Sequence, residues 1–172
     1  KMDGLTKVDY PGGMFIEYSY DDTEVLTGIN TNFGSTSYNY DSLGRLTRVV
    51  DRNGYATQYE YDKNGNRTAV KYANGITVTY DYDALNRLIC EKALDSEGGI
   101  VAQYEYTLGE AGERTKVTEL DRTVDYTYDE LYRLTGETII NSDGSVNTYS
   151  YTYDDVSNRL SKNENGNVTE YT

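Results

Sequence analysis

The stretch Ile76-Thr-Val-Thr-Tyr80-Asp-Tyr82-Asp83 alternates apolar and polar residues without a break. Ile76, Val78, Tyr80 and Tyr82 fall on one side, and Thr77, Thr79, Asp81 and Asp83 on the other. A period of two with β-branched and aromatic residues on the apolar side predicts a half-buried β-strand. The same Tyr-x-Tyr ending recurs at seven regularly spaced places: Tyr18/Tyr20, Tyr38/Tyr40, Tyr59/Tyr61, Tyr80/Tyr82, Tyr104/Tyr106, Tyr126/Tyr128 and Tyr151/Tyr153. The first tyrosines stand 20, 21, 21, 24, 22 and 25 residues apart, and every pair but Tyr104/Tyr106 is followed at once by Asp. A step of this size marks a repeat architecture, in which each unit is one supersecondary element that cannot bury its apolar face alone. The units are numbered here as repeats 1 to 7.

Two turn signals alternate between the strands. One follows the second tyrosine, as in Asp41-Ser-Leu-Gly44, Asp62-Lys-Asn-Gly65 and Asp83-Ala-Leu-Asn86, and Asp129 opens the corresponding turn of repeat 6. Asp in first place and Gly in fourth predict a type I turn, with Asn standing in where the backbone turns left-handed. The other signal is Asn53-Gly54, Asn74-Gly75, Asp143-Gly144 and Asn165-Gly166, the mark of tight hairpins, with Gly98-Gly99 in the same place of a longer repeat. Each repeat therefore reads as two antiparallel strands. The fold class is all-β: an antiparallel meander of roughly fourteen strands, forming a curled, spiral or partly closed sheet. Arg45-Leu46, Arg87-Leu88, Arg133-Leu134 and Arg159-Leu160 follow the Asp turns, with Arg67-Thr68 and Arg114-Thr115 as degraded copies. Leu is expected on the packed side and Arg on the wet side near the turn Asp. Exposed ion pairs contribute only ~0–1 kcal/mol. The tyrosine stripe should carry more, because cross-strand aromatic pairs add ~0.2–1 kcal/mol each and the rings bury large areas.

At Tyr38-Asn-Tyr40-Asp41-Ser-Leu-Gly44-Arg45-Leu46-Thr47 the pattern resembles the YD repeat of the Rhs (rearrangement hotspot) family, related to the Tc toxin B and C components and to teneurins. The segments starting at Tyr80 and Tyr126 resemble it as closely, and the likeness extends over about residues 4 to 172. The resemblance implies a long hairpin sheet that spirals into a hollow shell, enclosing a toxic C-terminal region in Rhs and Tc proteins and supporting adhesion in teneurins. It also implies a secreted or cell-surface location, bacterial rather than eukaryotic. The partners it implies are the rest of a parent repeat protein and an enclosed C-terminal polypeptide. Residues 1–172 are then a single segment of about seven hairpin units within a longer repeat protein. Two repeats depart from the pattern. Thr107 replaces the Asp of repeat 5, where Leu108-Gly-Glu-Ala-Gly112 is read as a lengthened turn, and repeat 1 has Asp21-Asp-Thr-Glu-Val25-Leu26, without Gly or Arg. No Asp-Pro self-cleavage motif of the Rhs kind occurs, since the only proline is Pro11.

Composition narrows the remaining chemistry. Sixteen Lys and Arg against 29 Asp and Glu give a net charge of −13, a field that repels phosphate backbones and disfavours nucleic acid. No apolar run approaches the ~20 residues that span a bilayer, so membrane insertion is not expected. Histidine is absent, which removes the commonest general base and metal ligand. Asp62-Lys-Asn64-Gly-Asn66 begins like a calcium loop, but Arg67 and Ala73 stand where such a loop requires Gly and Glu. No metal, cofactor or catalytic site is expected, because the acids sit at repeated positions rather than in a singular constellation. Cys90 is the only cysteine, reads as a small apolar strand residue, and fits either a cytosolic protein or a bacterial secreted one. The tyrosine rows could stack on sugar rings, making a carbohydrate-binding or adhesive surface the alternative function. Their parity with Val78 and Val124 favours a packed face. Unpaired end strands are expected to self-associate.

Overall fold

The computed structural model describes residues 5–171; Lys1–Gly4 and Thr172, the ends of the segment expected above, lie outside the described residues. The described residues form sixteen strands joined in sequence order into one antiparallel meander. The strands divide between two compact units. The first takes the chain up to Thr79 together with Leu94–Gly99, and the second takes Tyr80–Ala93 and the chain from Ile100 onward.

In the first unit lie β1 (Lys7–Tyr10), β2 (Met14–Tyr20), β3 (Leu26–Thr31), β4 (Gly34–Tyr40), β5 (Leu46–Val50), β6 (Ala56–Tyr61), β7 (Arg67–Lys71) and the start of β8 (Thr77–Tyr82). The second holds the end of β8, most of β9 (Leu88–Leu94), and β10 (Ile100–Leu108), β11 (Arg114–Glu119), β12 (Arg122–Tyr128), β13 (Leu134–Asn141), β14 (Val146–Tyr153), β15 (Arg159–Glu164) and β16 (Asn167–Glu170). Every even strand from β2 to β14 carries one of the seven Tyr-x-Tyr pairs. The count exceeds fourteen because β1 and β16 flank the seven repeats.

Registry sets several of the tyrosines opposite apolar residues, while Tyr104, Tyr126 and Tyr151 oppose Glu119, Glu137 and Lys162. In the first unit Tyr18 opposes Ile29, Tyr38 opposes Val49, Tyr59 opposes Val70, and Val70 opposes Val78. In the second, Tyr106 opposes Val117, Val117 opposes Val124, and Val124 opposes Ile139. The other face is built from small and polar residues, as in Ser19–Gly28–Ser37 and Thr127–Gly136–Ser150. The buried core is small: Ala69, Val70, Cys90, Val117 and Val124. Stability must therefore come largely from contacts within the sheet, strand to strand and turn to turn, rather than from a thick interior.

The two turn signals converge on one structure. After each second tyrosine the chain makes a five-residue turn, in which the first residue's N–H binds the fifth carbonyl and the fourth N–H binds the first carbonyl. The Asn-Gly side uses the same turn at Asp51–Tyr55, Tyr72–Ile76, Asp95–Gly99 and Asn141–Ser145. Glycine is thus fourth of five in these, at φ +84° for Gly54, rather than half of a two-residue loop. Only Asn165-Gly166 among those signals joins a directly paired Glu164 and Asn167, with both residues left-handed at φ 50° and 91°. Side chains reinforce two of the longer turns: Asp51 Oδ1 accepts the N–H groups of Asn53 and Tyr55, and Asp95 Oδ1 those of Glu97 and Gly99, whereas Tyr72 and Asn141 open the same turn without an acid.

Candidate functional site: the tyrosine face and its turn rim

The positions of the turn after each tyrosine pair are numbered 1 to 5, starting at Asp. Oδ1 of Asp21, Asp41, Asp62, Asp83, Asp129 and Asp154 accepts the N–H groups of positions 3 and 5 in its own turn. Hydrogen bonds to the charged carboxylate hold these aspartates below the usual carboxylate range, led by the side chains of Thr23, Asn66 and Asn158 for Asp21, Asp62 and Asp154, and by the position-5 N–H for Asp41, Asp83 and Asp129. For Asp129 the leading cause is the Arg133 N–H, followed after a smaller opposing desolvation by the Arg133 side chain. Position 4 is left-handed throughout: Gly44 at φ 76°, Gly65 at 92°, Asn86 at 60° and Tyr132 at 58°. Glycine and Asn suit that backbone, whereas Tyr132 is held there against its preference.

Closing this turn costs one residue of register. Asn39 opposes Arg48 but Tyr40 opposes Leu46, leaving Thr47 as a bulge, and the same slip recurs at Tyr20, Tyr61, Tyr128 and Tyr153. Repeat 5 corrects the reading of its turn. Its slip falls between Thr107 and Leu108, and the turn runs from Gly109 to Glu113. The turn keeps its length and β10 grows instead, so Gly109 rather than Thr107 replaces Asp. The arginines also separate. Arg45, Arg87 and Arg133 occupy position 5, each with Nε 2.7 Å from its own Asp Oδ2. Arg67 and Arg114 are not degraded copies, nor is Arg159 a full one: all three sit one residue later, Arg67 and Arg159 facing a second tyrosine as Leu46 and Leu134 do, and Arg114 facing Leu108.

The tyrosines are mostly half-buried, with Tyr20 and Tyr104 each 37% exposed. Several second-tyrosine hydroxyls are committed to the backbone of the preceding repeat. Tyr61 donates to the Leu46 carbonyl at 2.8 Å, Tyr128 to Arg114 at 2.8 Å and Tyr153 to Leu134 at 2.7 Å, while Tyr20 donates to Leu5 at 3.0 Å. Arginine planes cover some rings: Arg45 lies 4.8 Å from the Tyr61 centroid and Arg133 lies 5.0 Å from that of Tyr153. Burial pushes the hydroxyls of Tyr106, Tyr126 and Tyr128 above their ordinary range. Tyr151 is pushed up to about 12 by burial and by Glu137, whose carboxylate accepts its hydroxyl at 2.8 Å.

In the second compact unit the residues lining a concavity of about 650 Å³ include Asp81, Arg87, Cys90, Lys92, Glu105 and Tyr106. Burial raises the Cys90 thiol above its ordinary range, which opposes formation of a reactive thiolate. Among the described residues no three His, Cys, Asp or Glu side chains are placed to hold a metal ion.

Antiparallel hairpins at a near-constant step, each closed by the same turn, define a β-hairpin repeat protein. Residues 40–77 and 61–100 match the family model of the RHS repeat. Its fold is that of Tc toxin chains. The crystal structure of TcdB2-TccC3-Cdc42 superposes with a TM-score of 0.76 at 18% identity, over 94% of this chain and 10% of that chain. A Photorhabdus luminescens Tc holotoxin pore gives 0.75 at 18% identity, over 91% and 9%. TcdB2-TccC3 itself gives 0.73 at 18% identity, over 90% and 9%. The chain thus spans about a tenth of the length of these solved chains. No curated protein matches the sequence.

Proposed function

We propose that this chain is a wall segment of an Rhs-type β-shell that encloses or presents a toxin-like C-terminal polypeptide. Its partners are then that polypeptide and the remaining repeats of its parent protein, in a secreted or cell-surface bacterial assembly. The observation that carries the reading is the continuity of the hairpin pattern: one turn geometry recurs in all seven repeats, and 94% of the chain follows the fold of a Tc toxin chain. The role is that of a scaffold rather than an enzyme, because the charged groups recur with the repeat instead of converging on one place. The tyrosine face supports the same role. Hydroxyls donated to backbone carbonyls and rings covered by arginines fasten one hairpin to the next, which leaves them less available to a glycan.

The test is limited proteolysis of the parent protein, intact and with the segment homologous to residues 40–100 deleted. Enclosure predicts that the C-terminal polypeptide resists protease in the intact protein and is cut after the deletion. Equal cleavage in both would refute it.

A further inference from the structure

The β11–β12 hairpin stops short of the strand before it. β10 is nine residues long and β11 only six, and their pairing ends at Tyr104 opposite Glu119. Ile100, Val101, Ala102 and Gln103 therefore run on past β11 with no residue of that strand opposite them. The chain turns back at Leu120 and Asp121 instead. On the β13 side of this tip the Ser142 N–H binds the Asp121 carbonyl at 2.7 Å, so a backbone bond closes that side. The β10 side opens on a notch of about 390 Å³, lined by residues 101–104 and 119–121. All of these residues belong to the second compact unit.

The ledge that β10 leaves is suited to strand addition. Backbone N–H and C=O groups along a strand edge are a template for another chain, and proteins commonly blunt such edges with Lys, Pro or inward charges. Ile100-Val-Ala-Gln103 contains none of these. Ile100 is 48% exposed, Val101 51% and Leu120 57%, so the notch offers apolar side chains as well as backbone. Its charge is acidic. Glu119 is paired with Arg122 at 2.9 Å, whereas Asp121 stands exposed at the tip. A second copy of this chain, itself at −13, suits the notch poorly, because like charge opposes association.

We infer that the notch takes one extended, basic segment of a partner polypeptide, which continues the sheet alongside β10 where β11 leaves off. Backbone bonds to residues 100–103 hold it, alternate apolar side chains cover Val101 and Leu120, and a Lys or Arg meets Asp121. Four residues of strand span about 14 Å, enough for a short addition of this kind. The inference needs only an open β10 edge, so it stands whether or not the assembly encloses a polypeptide.

Amide hydrogen exchange on the full chain tests it, with two synthetic probes: a short peptide of alternating valine and lysine, and the same peptide with glutamate for lysine. At about ten times its dissociation constant the lysine peptide should slow the outward amides among residues 100–103 roughly tenfold. The glutamate peptide should leave them unchanged, and neither should slow the edge strand at residues 167–170. Val101→Lys, which sets a charge on the ledge, should abolish the protection. If that variant fails to fold, the two peptides still decide on the parent chain. Equal slowing at 167–170, equal slowing by both peptides, or no slowing at all overturns the inference. Amides at 100–103 that are already slow in the free chain and speed up on dilution would assign the notch to a second copy, and overturn it as well.

Discussion

In repeat 6 the turn Asp129–Arg133 is held by an aspartate whose Oδ1 takes two backbone N–H groups and whose Oδ2 takes the Arg133 guanidinium. In repeat 5 the turn Gly109–Glu113 makes the same two backbone bonds, with no side chain at position 1. The Glu113 carboxylate has folded back into the space that a Cβ on Gly109 would occupy, and its Oε2 is buried without a partner. The backbone turn therefore does not depend on the aspartate. What the two turns share is a left-handed fourth residue, Gly112 at φ 92° and Tyr132 at φ 58°. The aspartate adds hydrogen bonds to a turn that the backbone already defines.

The largest effect should come from denying that shared feature. Gly112→Val places a β-branched residue at a positive φ and should cost about 1–3 kcal/mol in a denaturant titration, although the nearest atom a Cβ would meet is Arg87 Cδ at 3.9 Å. Next comes the carboxylate. Asp129→Ala should lower the unfolding midpoint more than Glu113→Ala, since Asp129 satisfies three donors and Glu113 leaves an oxygen unpaired. The same contrast has a pH signature. The carboxyl of Asp129 is held below its ordinary value of 3.8, so its contribution is complete above that pH and disappears as pH falls through the lowered value. Acid unfolding curves of Asp129→Asn should accordingly fall less steeply below about pH 4 than those of the parent chain.

Repairing repeat 5 sharpens the comparison further. Gly109→Asp alone sets a second carboxylate against Glu113, whereas Gly109→Asp with Glu113→Asn recreates the Asp62…Asn66 arrangement. The double variant should exceed the sum of the single ones by about 1 kcal/mol, read from a double-mutant cycle. The smallest change runs the other way. Tyr132 is 60% exposed and left-handed, so Tyr132→Gly should stabilise by about 0.5–1 kcal/mol in thermal melts.

Much of this fold was legible because its dominant signal is local. Strict alternation in Ile76–Asp83 and the Tyr-x-Tyr spacing marked the strands and their shared apolar face. The aspartates were legible as turn openers for the same reason. Three features were not, and each depends on counting from the turn rather than from the tyrosines. The Asn-Gly segments looked like two-residue loops because the residues that open the turn, Asp51, Tyr72, Asp95 and Asn141, lie three residues before the glycine and share no single side-chain type. Arg159-Leu160 looked like Arg45-Leu46 because the dipeptides match, yet one sits a residue further from its aspartate. Repeat 5 was misaligned because Tyr106 is in place while Leu108 fills the site of a second tyrosine, so β10 carries two extra residues.

The register of β10 against β11 tests the primacy of the turn most directly. In a Cys90→Ala background, paired cysteines at Thr107 and Lys116 should oxidise to a disulfide, because these residues oppose one another, while a pair at Glu105 and Arg114 should remain reduced. If the Glu105 and Arg114 pair closed instead, the turn would begin at Thr107, and the tyrosine motif rather than the turn would set the register.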